Sequence, residues 1–350
     1  MFFKSKKVLG LDIGTSSIKL AEMNVSSGGA SLESFGFVQT PPNAVSAGEL
    51  TDPGGITVTI QSLVAEIKSK RKKVCTGMWG TAVIVKRITI PKSDAKLIGD
   101  QLNFYAEQYI PFDINNVSLS HHILDNLSSP DTVDVLLVAA QNELVSQYTQ
   151  VVLSAGLECS ILDVSGFALA NTFEANYGKL KNQTIALINF GASISNFVVI
   201  FGGEVIFCRD IPVGGLNYTS EISKTMGITP QEAESLKLSA IARREVPEDV
   251  HNVIINTNEM ISEEIRNSLD FLNATSGETN LTKLFYTGGS AGTSGLIAAV
   301  QKTSGLSTEA FNPFLKVRFN TRTISQTYLS QISSFASVAI GLGLRTLGDK

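Results

Sequence analysis

Two short stretches of this chain carry the side chains best suited to holding a charged ligand: LGLDIGTSSIKL at 9 to 20 and LINFGASISNF at 187 to 197. Each reads as strand, tight turn, strand. In the first, a turn on Gly14 lets the backbone come close to a ligand, and the N–H groups and hydroxyls of Thr15, Ser16 and Ser17 can surround phosphate oxygens. Lys19 adds a point charge beside them, and Asp12, ending the first strand, can hold a water of a phosphate-bound Mg²⁺ ion. Aligned on Gly14 and Gly191, the second stretch sets Asn189 opposite Asp12, Ser193 opposite Ser16 and Asn196 opposite Lys19, with Gly191, Ala192 and Ser193 at its turn. One device is repeated with both charges removed. Two such hairpins facing each other would clamp a polyphosphate from both sides, whereas a single polar-tipped hairpin is a common structural element.

Two further pieces fit a nucleotide. In YTGGSAGTSGL, 286 to 296, Gly288 and Gly289 let a flat ring lie on the backbone ahead of Ser290, and a helix is expected to begin at that turn. In QEAESLK, 231 to 237, Glu234 and Lys237 stand three apart on one helical face, able to bracket a ribose and base or to form an ordinary exposed ion pair.

The elements that must position these residues follow from length and pattern. A chain of 350 residues exceeds one ordinary core, so two or more lobes with a cleft are expected. With 43% hydrophobic and 17% charged residues and a net charge of -4, the composition is globular and has no basic excess that would suit nucleic acid. Cys75, Cys159 and Cys208 lie far apart, which suits buried thiols in a reducing compartment and not a disulfide framework or zinc site. MFFKSKKVLGLDIG has a basic start but reaches glycine and aspartate before any signal-length apolar run, and TIALINFGASISNFVVIFGG reads as two strands around a turn, so a cytoplasmic chain with no spanning helix is expected.

Residues 7 to 25, a Gly28-Gly29 turn and SLESFGFVQT read as a meander. After a loop from 41 to 55, ITVTIQSLVAEIKSK has helical spacing and ends in the basic run KSKRKK, read as opposing the helix dipole in preference to touching acidic lipid. Residues 81 to 164 alternate strand TAVIVKRITI, helix SDAKLIGDQLNFYAEQY, strands VSLSHHIL and DVLLVAA, helix NELVSQYTQVVLSAG capped by Gly156, and strand LECSILDV. His121 and His122, adjacent on a strand, point to opposite faces and do not form a shared metal site. A helix follows from about 166 to 176, with Ser165 as its N-cap. Helices are expected again at TSEISKTMG, PQEAESLKLSAIARR and NTNEMISEEIRNSLDFLNAT.

In this order the pieces resemble the actin-like ATPase superfamily: first phosphate hairpin with Asp12 and Lys19, connecting helix, second phosphate hairpin, adenosine motif with Gly288 and Gly289, and closing helix SSFASVAIGLGLR. Within it the chain looks most like the PilM family of the type IV pilus machine, through FFKSKKVLGLDIGTSSIK, ITIPKSDAKLIGDQLNFYAEQYIPF, VDVLLVAAQNELV, AGLECSILDVSGFALAN, IPVGGLNYTSEI and ITPQEAESLK. The resemblance implies an α/β, two-lobed actin-like fold of duplicated RNase H-like domains with an FtsA/PilM-type inserted subdomain. It divides the chain into a first lobe (1–85, 156–183, 330–350), an insert (86–155), and a second lobe (184–225, 283–329) with a helical subdomain (226–282).

The same resemblance implies ATP or ADP as ligand, with Mg²⁺ held weakly. Relatives that hydrolyse ATP carry aspartate where Asn189 stands and often Glu or Gln near Ser165, so hydrolysis is expected to be slow or absent. The implied partner is the amino-terminal cytoplasmic tail of a PilN-like inner-membrane protein, in a groove near Tyr109, Pro111 and Phe112, with the cytoplasmic motor ATPases as further contacts and no direct membrane insertion. An aromatic run ending a helix also reads as plain core. The sequence also admits two alternatives: a sugar kinase of the same superfold, for which Asp163 or Asp210 is a conceivable base with a simpler strand-end reading, and an FtsA-like filament former.

Overall fold

The computed structural model describes residues 7–26, 28–124, 130–276 and 280–348; the first six residues, with most of the basic start, lie outside them. The chain opens on an antiparallel meander of β1 (Leu9–Ile13), β2 (Ser17–Ser26) and β3 (Gly29–Gln39). A short ladder, β4 (Val45–Ser46) with β5 (Glu49–Leu50), leads to α1 (Pro53–Ile67). Asp52 caps α1 by accepting from Gly55 N at 2.9 Å, and Pro53 occupies the first turn, where no N–H is needed. Lys68, left-handed at φ 53°, ends it.

The basic run therefore leaves the helix. Lys68 stands at the C-cap of α1, at the negative end of its dipole, and the rest of the run lies beyond the last turn. The run leads into β6 (Lys73–Met78).

The insert follows as β7 (Val83–Pro91), α2 (Ile98–Tyr109), β8 (Val117–Leu124) and β9 (Thr132–Gln141), with strand order β7-β9-β8. His121 and His122 pair with successive residues of β9, and the described residues contain no His/Cys/Asp/Glu group able to hold a metal. Next, α3 (Asn142–Ser154), which the sequence groups with the insert, buries Leu144, Tyr148, Val151 and Val152 in the same core as Leu9, Leu11 and Ile60 of the first lobe. Gly156, at φ 79°, turns the chain after it. β10 (Glu158–Val164) and α4 (Ser165–Tyr177) complete this part.

The second lobe repeats the plan. β11 (Thr184–Phe190), β12 (Ser195–Phe201) and β13 (Glu204–Ile211) form its meander. Then come α5 (Gly215–Met226), α6 (Pro230–Ile241), α7 (Glu248–Ser276), β14 (Leu281–Thr287), α8 (Leu296–Ser304) and β15 (Ser307–Ala310). The chain returns to the first sheet with β16 (Arg318–Phe319), α9 (Gln326–Ile332) and α10 (Ser337–Leu344).

The first sheet runs β10-β6-β1-β2-β3-β16 and the second β13-β12-β11-β14-β15. In both, three strands pair antiparallel and the next two add in parallel beside the first, so the sheets share one topology. This is a two-lobed α/β protein with a duplicated sheet.

α10 packs onto β1 and β2 so closely that a Cβ on Gly10 would lie 2.1 Å from the Ala339 carbonyl oxygen. The closing helix is thereby fixed against the strand that delivers Asp12. Cys75 and Cys208 are buried and Cys159 half-buried. No helix among the described residues is long and apolar enough to cross a membrane.

Candidate functional site

The register of β1 and β2 sets Asp12 directly opposite Lys19, and their side chains meet at 2.9 Å, each residue only 8% exposed. Lys19 also donates to the Ser17 carbonyl at 3.2 Å. The turn is closed by Gly14 N on Ser17 O (3.2 Å) and tied to the end of β3, where Thr40 Oγ1 donates to Gly14 O at 2.7 Å. In the second lobe the equivalent register opposes Asn189 and Asn196, and Asn189 donates to Asn196 Oδ1 at 2.8 Å. Its turn closes the same way, Gly191 N on Ile194 O at 3.0 Å. A neutral amide pair thus stands in the second hairpin where the first has an ion pair.

The hairpin tips face each other: Thr15 Oγ1 and Ser193 Oγ lie 2.7 Å apart across the lobes. Of the remaining polar tip residues, Ser16 is exposed and Ser17 half-buried. The second tip is held by the start of α5, whose Gly215 and Leu216 N–H groups donate to Gly191 O (3.0 Å) and Ala192 O (2.7 Å), and by Ser290 Oγ, 2.9 Å from Gly191 O. Helix-end amides that could meet an anion are used here on the hairpin's own carbonyls.

Asn196, whose Oδ1 accepts from Asn189, donates through its Nδ2 to Asp210 Oδ1 at 2.7 Å, and Asp210 Oδ2 accepts from Gly80 N of the first lobe at 2.7 Å. This second tie between the lobes was not legible in the sequence, although Asp210 pairs in register with Asn196. Burial pushes the Asp210 carboxyl above the ordinary carboxylate range, against the lowering by Gly80 N–H and the Asn196 amide. The folded state therefore holds this proton more tightly than the unfolded chain. Stability falls as pH rises from the unfolded value, about 4, to the raised folded value, and is level above it. In Asp210→Asn the new amide can donate to Asn196 and the amide chain can reverse. Unfolding midpoints measured from about pH 4 to pH 7 are then expected to lose part of their slope, and an unchanged slope would remove Asp210 from the account.

The adenosine-side residues gather at Gly215. Lys237, 7% exposed, donates to Glu234 Oε2 (2.6 Å), Thr219 Oγ1 (3.1 Å) and Gly215 O (3.2 Å). Thr219 Oγ1 in turn bonds Glu234 Oε2 at 2.5 Å. The reading of Glu234 and Lys237 as an ordinary exposed pair is thus corrected: the lysine is buried on a fixed set of acceptors. Gly288, at φ 108°, donates to Ser334 O at 2.5 Å, while a Cβ on Gly289 would meet nothing within 4 Å. The helix expected directly at this turn does not form. A 3-10 turn spans Gly289–Gly292 and α8 starts only at Leu296, because left-handed Gly295 intervenes.

Ser165 is also corrected. Val164 occupies the cap position of α4 without a side-chain cap bond, and Ser165 is the first helical residue, its buried Oγ without a hydrogen-bond partner among the described residues. Asp163 is bound to Arg345 Nη1 at 2.7 Å, so neither Asp163 nor Asp210 stands free as a base. In the expected partner segment, Tyr109 ends α2 at 41% exposure, Pro111 is exposed, and Phe112 is half-buried against the core of Ala106, Ile110, Leu137 and Ala139. Two of the three are therefore accessible.

A family model described as type IV pilus assembly protein PilM matches residues 10–347. Among solved structures, the chain is similar to one titled PilM-PilN type IV pilus biogenesis complex, with 26% identity, 98% of this chain and 99% of that chain covered, and TM-score 0.87. It also shares its fold with the ethanolamine utilization protein EutJ from Carboxydothermus hydrogenoformans (14% identity, 98% and 90% covered, TM-score 0.59). A third similar structure is MreB 5 of Spiroplasma citri bound to AMPPNP (12% identity, 97% and 95% covered, TM-score 0.52).

Proposed function

The chain belongs to the type IV pilus assembly protein PilM family, and on that premise we propose that it is an actin-like scaffold of the pilus machine that holds the cytoplasmic amino-terminal tail of a PilN-like inner-membrane protein. The structural match to a PilM-PilN complex supports the partner. ATP or ADP between the hairpins is the ligand that stiffens the scaffold. Lys19, Thr15 and Ser193 serve its phosphates, Gly288, Gly289 and Ser290 the base, and Glu234 and Lys237 the ribose and base.

The observation that carries the non-catalytic side of this reading is the amide pair Asn189–Asn196 in place of a second carboxylate. With Asp12 already neutralised by Lys19, little negative charge is left to retain Mg²⁺ or activate a water, so the ion binds weakly and hydrolysis is slow or absent. The sugar-kinase alternative needs a free base, and both aspartates considered for it are engaged. The motor ATPases are further partners in this reading, and the protein works in the cytoplasm, peripheral to the inner membrane through PilN.

Fluorescence anisotropy with a labelled peptide of the PilN-like tail tests the partner site. Tyr109→Arg, an exposed position whose change leaves the core intact, is expected to weaken binding at least tenfold, the loss of about 1.4 kcal/mol of aromatic contact. Undiminished binding would move the peptide elsewhere.

A further inference from the structure

The basic run between α1 and β6 has no part in the ligand cleft. Positions 68 to 73 contain five basic residues and no acid. Their side chains divide by position. Arg71 turns inward, its Nη1 donating to Met23 O (2.6 Å) and Val8 O (3.2 Å) and its Nε lying 3.0 Å from Glu22 Oε1. Ser69 is half-buried, its Oγ accepting from Arg71 N at 3.2 Å. Lys68, Lys70 and Lys72 alternate with these two, are exposed, and form no ion pair among the described residues. Lys73 is 3.6 Å from Glu158. The acids that could neutralise the edge, Glu22 and Glu158, are thus taken by Arg71 and Lys73, leaving Glu66 on the last turn of α1 as the acid nearest in sequence.

We propose that Lys68, Lys70 and Lys72 form a docking edge for the headgroups of an anionic phospholipid surface. A connecting segment anchored by the inward Arg71 leaves three exposed ammonium groups at alternate positions, 68, 70 and 72. Such an edge matches a laterally continuous sheet of phosphate charge better than a shaped protein ligand. Coupled to a membrane-held tail, even weak lipid contact raises the effective concentration of the scaffold at its partner; this gain rests on the proposed function, but the contact itself does not.

The test uses the purified full chain without partner, sedimented with vesicles of phosphatidylcholine alone or with about one part in three phosphatidylglycerol. Binding to the anionic vesicles is expected to exceed that to neutral ones and to fall as salt rises from about 0.05 M to about 0.5 M. Each lysine contributes roughly fivefold, so Lys68→Gln/Lys70→Gln/Lys72→Gln loses on the order of 100-fold, while the triple arginine variant retains binding. Equal binding to both vesicles, or a glutamine variant that sediments like the parent, overturns the proposal. So does a glutamine variant that keeps vesicle binding but loses the tail peptide, which would assign the edge to the protein partner. Loss of peptide binding in Tyr109→Arg with vesicle binding intact leaves this edge standing and tests only the partner groove.

Discussion

Lys19→Ala is expected to lower the free energy of unfolding by about 3 kcal/mol and to leave the protein without bound nucleotide. The stability loss comes from Asp12, which is buried and ion-paired at 2.9 Å; removing the lysine strands a carboxylate out of water, and breaking a buried pair costs about 3 to 5 kcal/mol. The lower end applies because a tenth of each side chain still meets solvent. The molecule supplies its own control, since the second hairpin fills the same register with two asparagines. Asp12→Asn/Lys19→Asn is therefore expected to recover most of the stability in urea titration while still failing to retain nucleotide, as mass spectrometry of the released small molecule would read. A single variant as stable as the parent would show that the pair is solvated. Nucleotide retained by the double variant would remove Lys19 from the phosphate site.

Gly288→Ala is expected to be at least as damaging, and Gly289→Ala nearly silent in stability. At φ 108° and ψ 151° Gly288 occupies a region open almost only to glycine, and an added Cβ would lie 2.3 Å from Phe190 O and 2.4 Å from Phe190 N. Both contacts are backbone, at the end of the strand that leads into the second hairpin, so neither can rotate away. Conformational strain of about 1 to 3 kcal/mol and overpacking of similar size combine to a loss of more than about 3 kcal/mol. One residue later the Cβ would point into open space. There a change in nucleotide affinity without a change in unfolding midpoint is the expected result, because the methyl would stand where a ring is proposed to lie. If both variants unfolded alike, the loop would be a structural turn and nothing more.

The hairpins were readable in the sequence because glycine turns and alternating strands act over a few residues. Local pattern placed Asp12 and Lys19 in one hairpin and aligned Asn189 and Asn196 with them in the other; that the two members of each pair stand directly opposite each other is given by the strand registers. Where local pattern underdetermines the outcome, the readings shifted. Ser165 missed the cap position by one residue, and the α8 start moved because Gly295 adopts a left-handed conformation between Gly288 and Leu296. The basic run left its helix because Lys68 adopts a conformation that its type does not announce.

What the amino-acid order settled by itself was the repeated device and the missing charge in its second copy, since both depend on residue identity at short spacing. What it could not settle was depth and distance across the chain. The spacing of Glu234 and Lys237 is the same in an exposed pair as in a buried one, and only the packing of α6 beside the start of α5 decided between them. Likewise, Thr15 touches Ser193 across 178 positions, and Asp210 reaches Gly80 across 130. Those contacts exist because the two lobes were brought together at their hairpin ends, and that arrangement is a property of the packed core, not of any local stretch of residues.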